Sequence, residues 1–183
     1  MIYLFLADGF EEIEALTPVD MLRRAGKTVE TVGVTGKTVT GSHGITVEAD
    51  KSIADAEISS EVEGIILPGG MPGTLNLKNS AKVGEFISYC AEKGLPTAAI
   101  CAAPSVLGEA GVLKGKHAVC YDGFEDKLLE AVVENGDVCR DGNFVTACGA
   151  AAALNFSFAL VEQYCGEEAL NKLKGQLLCH RSI

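Results

Sequence analysis

A cysteine lies where a short apolar run of this sequence meets a predicted helix. Cys101 ends the run PTAAIC, and a proline-led helical stretch, residues 104–111, follows it. A thiol at such a turn lies near the positive end of a helix dipole and near unpaired N–H groups, which favour the thiolate. The thiolate is the form that attacks carbonyl carbons and peroxides. The alternative is a buried structural cysteine, because free cysteines are commonly buried.

Two glycines end another apolar run and are candidates for binding a negatively charged oxygen. The stretch EGIILPGG, residues 63–70, ends in Gly69 and Gly70. Glycine lets backbone N–H groups approach a ligand oxygen closely, as an oxyanion hole requires. The alternative is an ordinary tight turn. In open α/β sheets, ligands bind beyond the carboxyl ends of the strands, so these glycines and Cys101 are expected at one edge.

Three glutamates follow the first apolar run, and one of them differs from the other two. Glu11 and Glu12 lie at a predicted helix start, where carboxylates are favoured, and suit a solvated face. Glu14 lies among apolar neighbours in the stretch IEAL. A carboxyl group turned inward there loses hydration, which raises its pKa. It could then share one proton with the Cys101 thiol, leaving the negative charge on sulfur.

Short apolar runs alternate with helical stretches along the chain. The predicted strands are 2–7, 28–34, 63–70, 96–101 and 117–121. The predicted helices are 11–25, 80–93, 104–111, 150–165 and 167–174. Residues 36–50 are predicted to form a β excursion, and residues 137–147 an antiparallel hairpin around Asp-Gly-Asn. This alternation predicts one α/β domain over residues 1–183, with helices on both faces of a doubly wound sheet.

Composition argues against several classes of function. The formal net charge of −10 argues against nucleic-acid binding, which needs clustered Lys and Arg. No apolar run approaches the roughly 20 residues that cross a bilayer, and residues 1–12 do not resemble a signal peptide. We therefore expect a cytoplasmic protein without a membrane partner. The absence of C-x-x-C spacing predicts no metal site, and the absence of a phosphate-binding glycine loop predicts no nucleotide cofactor.

Several stretches together resemble the ThiJ/PfpI superfamily, in the branch that contains the Parkinson-disease-linked protein deglycase. They are ADGFEEIEALTPVDMLRRAG, LPGG, AAICAAPSVL, DGFEDKL and NFSFALVE. The resemblance covers nearly the whole chain. It implies a flavodoxin-like three-layer sandwich with a mostly parallel sheet, of the class I glutamine amidotransferase-like type, and commonly a homodimer.

The resemblance also implies roles for individual residues. Cys101 matches the family's reactive cysteine, and Glu14 matches its protonated carboxyl partner. Gly69, Gly70 and Ala102 would supply backbone N–H groups beside them. The family's cysteine oxidises readily to a sulfinate, which the carboxyl group stabilises. Family members act as glyoxalases or deglycases on methylglyoxal and its early adducts, as redox-responsive chaperones, or as peptidases.

Two departures from the family pattern bear on the choice among these functions. The peptidase branch has a histidine directly after the cysteine, where this chain has Ala102, so amide hydrolysis would lack its usual proton carrier. The deglycase branch often has a histidine after the next strand, where this chain has Tyr121 or Asp122, which are candidates for accessory residues of the site. Our first hypothesis is cofactor-independent conversion of an α-oxoaldehyde by Cys101. The alternative is a redox sensor or chaperone in which a peroxide oxidises Cys101.

A further cysteine, Cys120, lies near a predicted strand end, as does Cys148. Packing in the core is the first interpretation for both residues. The alternative is that Cys120 resolves an oxidised Cys101 by forming a disulfide with it.

Overall fold

Seven strands form the central sheet of the computed structural model, which describes residues 1–179 of the chain. The strands in chain order are β1 (Ile2–Leu6), β2 (Val29–Gly33), β3 (Thr38–Thr40), β4 (Thr46–Glu48), β5 (Lys51–Ser52), β6 (Gly64–Leu67), β7 (Thr97–Ile100), β8 (His117–Ala118), β9 (Val132–Val133), β10 (Val138–Asp141) and β11 (Phe144–Ala147). The order across the central sheet is β10-β11-β7-β6-β1-β2-β5. Its neighbouring strands are parallel except for β10 and β11, which confirms the predicted mostly parallel sheet.

Five α-helices within these residues cover the sheet. They are α1 (Glu12–Arg24), α2 (Gly73–Asn79), α3 (Ala81–Lys93), α4 (Pro104–Glu109) and α5 (Ala153–Gln176). At the start of α3 the Ser80 hydroxyl accepts a hydrogen bond from the Val83 N–H, and Gly94 ends the helix with a left-handed φ of 64°. Helix α5 is interrupted at Gly166, so its two parts agree with the two helices predicted there. In the described part of the chain, no helix has the length and apolar content needed to cross a membrane.

Side chains along β1 alternate between two hydrophobic cores. Ile2, Leu4 and Leu6 belong to the core that α1 and α5 cover. Tyr3 and Phe5 belong to the core on the opposite face, which α3 and α4 cover. A strand that is buried on both faces is apolar throughout, as the sequence of β1 is. The predicted three-layer sandwich is therefore confirmed.

The strand predicted over 117–121 is wrong as a member of the central sheet. Only His117–Ala118 is extended, and this strand, β8, pairs with β9 in a separate small sheet. The place beside β7 belongs to β11, whose four residues are all buried. The apolar Phe144–Ala147 suits this interior position, whereas His117 is exposed. The hairpin predicted over 137–147 does form, as β10 and β11, but it is part of the main sheet.

Residues 36–50 form the predicted β excursion, in which β3 and β4 pair antiparallel outside the central sheet. We call residues 38–48 the β3–β4 hairpin. This hairpin folds back on the loop between β1 and α1. The Gly9 N–H donates to the Thr40 carbonyl (2.8 Å), and the Ser42 N–H donates to the Phe10 carbonyl (2.8 Å). The start of α1 is therefore held from one side by the hairpin.

Candidate active site around Cys101

Cys101 lies at a sharp turn directly after β7. Its φ of 64° is in the left-handed region, which a residue with a Cβ atom rarely adopts. Two hydrogen bonds hold the turn: the Cys101 N–H donates to the Ala147 carbonyl (2.8 Å), and the Tyr121 N–H donates to the Cys101 carbonyl (2.8 Å). Backbone strain of this kind persists only where the surroundings impose it, and it is concentrated at functional sites. The side chain is left half-buried at the carboxyl edge of the sheet.

Glu14 lies in the first turn of α1 and is fully buried, with 0% of the residue exposed. One carboxylate oxygen, Oε2, accepts a hydrogen bond from the Gly69 N–H at 3.0 Å. The other oxygen, Oε1, is buried without a hydrogen-bond partner of ordinary geometry among the described residues. The Cys101 thiol lies close enough to shift the pKa of this carboxyl group. The fold thus brings together two groups that lie far apart in the sequence.

Burial disfavours the charged form of both groups. It raises the pKa of Glu14 to about 7, although hydrogen bonding with Cys101 opposes the shift. Burial also raises the pKa of the Cys101 thiol to about 12, and the negative charge of Glu14 contributes to that increase. The N–H groups of Ala102 and Gly70 act in the opposite direction and lower the pKa of the thiol. The two side chains together therefore hold one negative charge far more readily than two.

The thiol differs in two respects from the expectation based on its sequence neighbourhood. A helix dipole was expected to favour the thiolate, but α4 begins only at Pro104 and has six residues, so its dipole is weak. With a pKa of about 7 for Glu14 and about 12 for the thiol, the single negative charge rests mainly on Glu14, contrary to the expectation that it rests on sulfur. A thiolate forms in the smaller share of pairs in which Glu14 takes the thiol proton, and the N–H groups of Ala102 and Gly70 favour that arrangement. We expect the Cys101–Glu14 pair to titrate as a unit, losing its first proton at about pH 7.

The LPGG turn packs directly against this pair. A Cβ atom on Gly69 would lie 2.6 Å from the Cys101 Cβ and 2.6 Å from Glu14 Oε2, so no side chain fits there. Gly70 has a φ of 90°, which favours glycine, and its N–H acts on the Cys101 sulfur together with the N–H of Ala102. Of the three predicted donors, the Gly69 N–H bonds to Glu14, and the N–H groups of Gly70 and Ala102 act on the sulfur.

Tyr121 and Asp122 were predicted as accessory residues, and they are placed differently. The backbone of Tyr121 is bonded to the Cys101 turn, and its side chain is 52% exposed beside Gly149. Asp122 is exposed. Of the two residues, Tyr121 is the one whose backbone is hydrogen-bonded to Cys101, and its side chain is exposed to solvent.

Cys120 does not share the surroundings of Cys101. Cys120 is buried in the core that α3 and α4 cover, whereas Cys101 packs against the core on the other face of the sheet. This placement agrees with the core-packing interpretation of Cys120. Cys148 is half-buried and packs against the same core as Cys101.

A second polar cluster joins the β3–β4 hairpin to the start of α1. Glu12, only 4% exposed, accepts a hydrogen bond from the His43 N–H (2.8 Å) and lies 3.0 Å from the ring Nδ1. Burial opposes the ionisation of Glu12, but hydrogen bonds from His43 and from the backbone N–H groups of Glu12 and Ile45 together outweigh it and lower the pKa of Glu12 to about 2. The expectation of a solvated Glu12 is therefore wrong. Sequence reasoning also left His43 isolated, because its contact with Glu12 depends on how the hairpin folds back on α1.

Glu11, Glu12 and His43 are the described residues that come closest to a set of metal ligands. Their ligand atoms lie within 4.8 Å of one another. The Ser42 hydroxyl donates to Glu11 Oε2 (3.1 Å), and Glu12 is already bonded to His43. Because these atoms have hydrogen-bond partners within the cluster, we assign the group to holding the hairpin against α1.

Comparison with known protein sequences relates the chain to proteins of matching length. The model of the DJ-1/PfpI family matches residues 1–163. Protein dj-1beta of Drosophila melanogaster is 33% identical over 181 residues, which cover 97% of this chain and 96% of that protein. A deglycase of Pyrococcus abyssi is 32% identical over 149 residues, which cover 80% of this chain and 88% of the deglycase.

Comparison with solved structures agrees with the sequence matches. The structure of oxidised DJ-1 from Toxoplasma gondii superimposes with a TM-score of 0.92 at 36% identity, and the match covers 97% of each chain. The similarity therefore extends over the sheet, both helical layers and the loops that form the site. This chain belongs to the DJ-1/PfpI family.

Proposed function

We propose that this protein is a cofactor-independent enzyme that converts α-oxoaldehydes such as methylglyoxal, or their early adducts, through the Cys101 thiolate. The observation that carries the proposal is the Cys101–Glu14 pair, a half-buried thiol at a strained turn beside a fully buried carboxyl group. A family member from Pyrococcus abyssi is named a deglycase, which supports this class of substrate.

The reaction needs one nucleophile and one proton carrier. With the shared proton on Glu14, the Cys101 thiolate adds to the aldehyde carbon, and Glu14 gives its proton to the aldehyde oxygen, forming a hemithioacetal. Proton transfers through an enediol then move hydrogen from the former aldehyde carbon to the neighbouring ketone carbon and leave a thioester. Water cleaves the thioester, which releases lactate from methylglyoxal and restores the thiol. The aldehyde carbon is oxidised while the ketone carbon is reduced, so no external electron acceptor is required.

The backbone around Cys101 supports this chemistry better than it supports amide hydrolysis. The N–H groups of Gly70 and Ala102 act on the sulfur and would stabilise negative charge that develops beside it. Residue 102 is alanine, so no histidine directly after the cysteine can protonate the leaving amine of a peptide. Addition to an aldehyde expels no amine, and Glu14 alone can supply the proton that the aldehyde oxygen needs.

Replacing Cys101 with serine is expected to lower lactate formation from methylglyoxal by about a hundred-fold or more, because a serine hydroxyl is far less acidic than a thiol. The measurement is the initial rate of lactate production by purified protein. Cys139→Ser is the matched control, because Cys139 is also half-buried but lies in β10, away from the site. We expect this control to retain the rate of the wild type. Wild-type lactate formation no faster than that of Cys101→Ser would overturn the proposal.

Sensing of peroxides through Cys101 is a second candidate function, favoured by one observation. The related DJ-1 of Toxoplasma gondii was solved in an oxidised form. A peroxide would transfer one oxygen to the Cys101 thiolate to give a sulfenate and release water or an alcohol, and a second equivalent would give a sulfinate. Protonated Glu14 and the nearby N–H groups could then bind the sulfinate oxygens. Homodimer formation and a cytoplasmic location stay predictions under either function.

A further inference from the structure

The β3–β4 hairpin brings an exposed histidine to the charged start of α1. His43 Nδ1 lies 3.0 Å from Glu12 Oε2 and 3.5 Å from Glu11 Oε2. Ser42 joins this cluster, because its hydroxyl donates to Glu11 Oε2 at 3.1 Å and lies 3.1 Å from the His43 ring. An exposed imidazole exchanges protons with solvent in the neutral pH range. The cluster therefore places a titrating group at one end of the helix that carries Glu14.

Glu11 connects this cluster to the reacting pair. Its N–H donates to the carbonyl of Gly69 (2.9 Å), and a Cβ atom on Gly70 would lie 2.4 Å from the same nitrogen. Glu11 is the N-cap residue of α1 and lies three positions before Glu14, so the two carboxyl groups are close along the chain. The negative charge of Glu11 is accordingly one of the causes that raise the pKa of Glu14.

We propose that His43, acting through Glu11, sets the pH at which the Cys101–Glu14 pair becomes reactive. His43 is a positioning residue, because its ring lies 3.5 Å from the Glu11 carboxylate, which its positive charge partly neutralises, and contacts neither the sulfur nor the substrate. The inference rests on the proposed function only in that it concerns the same thiol. No histidine lies beside Cys101 in the sequence, and the proposal makes His43 the histidine that influences the site.

The other charged groups on or against the hairpin are not among the causes that shift the pKa of Glu14. Lys37 and Glu48 form an ion pair at 3.6 Å. In the loop before α1, the Asp8 carboxylate accepts a hydrogen bond from the Thr40 N–H of the hairpin. With the two glutamates of the cluster, the charged groups bonded or paired here are Asp8, Glu11, Glu12, Lys37 and Glu48. On its inner side Glu14 faces Cys101 and, more weakly, Cys148. Among all of these, Glu11 is the charged group that shifts the pKa of Glu14.

The direction of the effect follows from the charges. Hydrogen bonding to Glu12, with the negative charges of Glu11 and Glu12, raises the pKa of His43, so the ring keeps its positive charge to a higher pH than an unperturbed imidazole does. While His43 is positive it offsets the charge of Glu11, and Glu14 releases its proton at a lower pH. When His43 is neutral, the Glu11 carboxylate acts unopposed and the titration midpoint of the pair rises.

The test is the pH dependence of Cys101 alkylation by iodoacetamide, followed by mass spectrometry. We expect His43→Gln to raise the midpoint of this profile by about half a pH unit. His43→Lys keeps a positive charge and should leave the midpoint at or below that of the wild type. The matched control is His117→Gln, because His117 is also exposed and bonded to a carboxylate, Glu134, but lies in β8. We expect no shift in this control.

The Glu11→Gln variant tests the route of the effect. It removes a charge that raises the pKa of Glu14, so the midpoint should fall, and adding His43→Gln should then produce no further shift. An unchanged midpoint in His43→Gln, or an equal shift in the Glu11→Gln background, would overturn the proposal. Failure of the proposed function would look different: Cys101 would still be alkylated with the expected midpoints, but methylglyoxal would not yield lactate.

Discussion

Replacing Glu14 with glutamine is expected to stabilise the protein by about 3 kcal/mol at alkaline pH. The buried carboxyl group has a pKa of about 7 in the folded protein against an ordinary value of 4.5. Its charged form is disfavoured by folding, so stability that is fully present below about pH 4.5 is lost as the pH rises through about 7. A neutral amide of the same shape avoids this loss. Urea unfolding should show similar stabilities at about pH 4 and a clear separation at about pH 9.

The matched control is Glu12→Gln, for which the opposite sign is expected. Despite burial, hydrogen bonds from His43 lower the pKa of Glu12 to about 2, so its contribution to stability is present above about pH 4.5 and lost as the pH falls through about 2. Glu12→Gln should therefore be less stable than the wild type at about pH 9. If Glu14→Gln were also less stable than the wild type at that pH, the assignment of Glu14 as a buried group that resists ionisation would be wrong.

The Glu14→Gln substitution should also change how Cys101 reacts. In the wild type, we expect the rate of alkylation to rise up to about pH 7 and then level off, because above that pH a fixed share of the pairs that have lost one proton has its negative charge on sulfur. In Glu14→Gln the rate should keep rising with pH, since only the thiol titrates. Below neutral pH it should be about ten-fold lower, because an amide is a weaker donor to the thiolate than a carboxylic acid. A gain in stability with a loss of reactivity is typical of functional groups.

Gly69→Ala is expected to lower the rate of Cys101 alkylation by at least about ten-fold and the free energy of unfolding by about 1–3 kcal/mol. The added methyl group would lie 2.6 Å from the Cys101 Cβ, 2.6 Å from Glu14 Oε2 and 3.0 Å from the Ile100 carbonyl oxygen. Relieving these contacts must separate the thiol from the carboxyl group that shares its proton. The measurements are alkylation at about pH 8 and urea unfolding.

Gly84→Ala serves as the control for this substitution. Gly84 lies inside α3, and a Cβ atom there would have no neighbour within 4 Å. We expect this variant to be more stable by about 1 kcal/mol, because alanine favours the helix, and to be alkylated at the wild-type rate. Normal alkylation of a folded Gly69→Ala protein would show that the close approach of this glycine is not needed for reactivity. Circular dichroism establishes whether each variant is folded.

The sequence was most informative where local chemistry decides the structure. Ser80 and Gly94 bound α3 because a hydroxyl cap and a left-handed glycine are local devices. Cys101 and the LPGG turn were expected at one edge of the sheet because the carboxyl ends of parallel strands coincide, and the structure places them in contact. Glu14 is buried as expected, but its apolar neighbours Ile13 and Leu16 are exposed, so their apolar character was not the physical reason.

Features that depend on distant parts of the chain were less predictable. The runs at 117–121 and 144–147 are both short and apolar, and only packing against the rest of the sheet decides that β11 lies beside β7. The contact between His43 and Glu12 arises because the β3–β4 hairpin folds back on α1, which no local pattern encodes. The pKa of the thiol depends on burial and on a carboxylate from another element, so the helix start alone was misleading.

At a φ of 64°, the backbone of residue 101 would be less strained with glycine than with any residue that has a side chain. A side chain at this position therefore strains the backbone, and the reactivity of sulfur explains the strain better than the packing of a half-buried side chain does. A lineage released from the need for that chemistry would be free to discard the cysteine and keep the sandwich intact. Among proteins of this shape, preservation of the fold is thus a poor guide to activity, and the identity of this single residue is a better one.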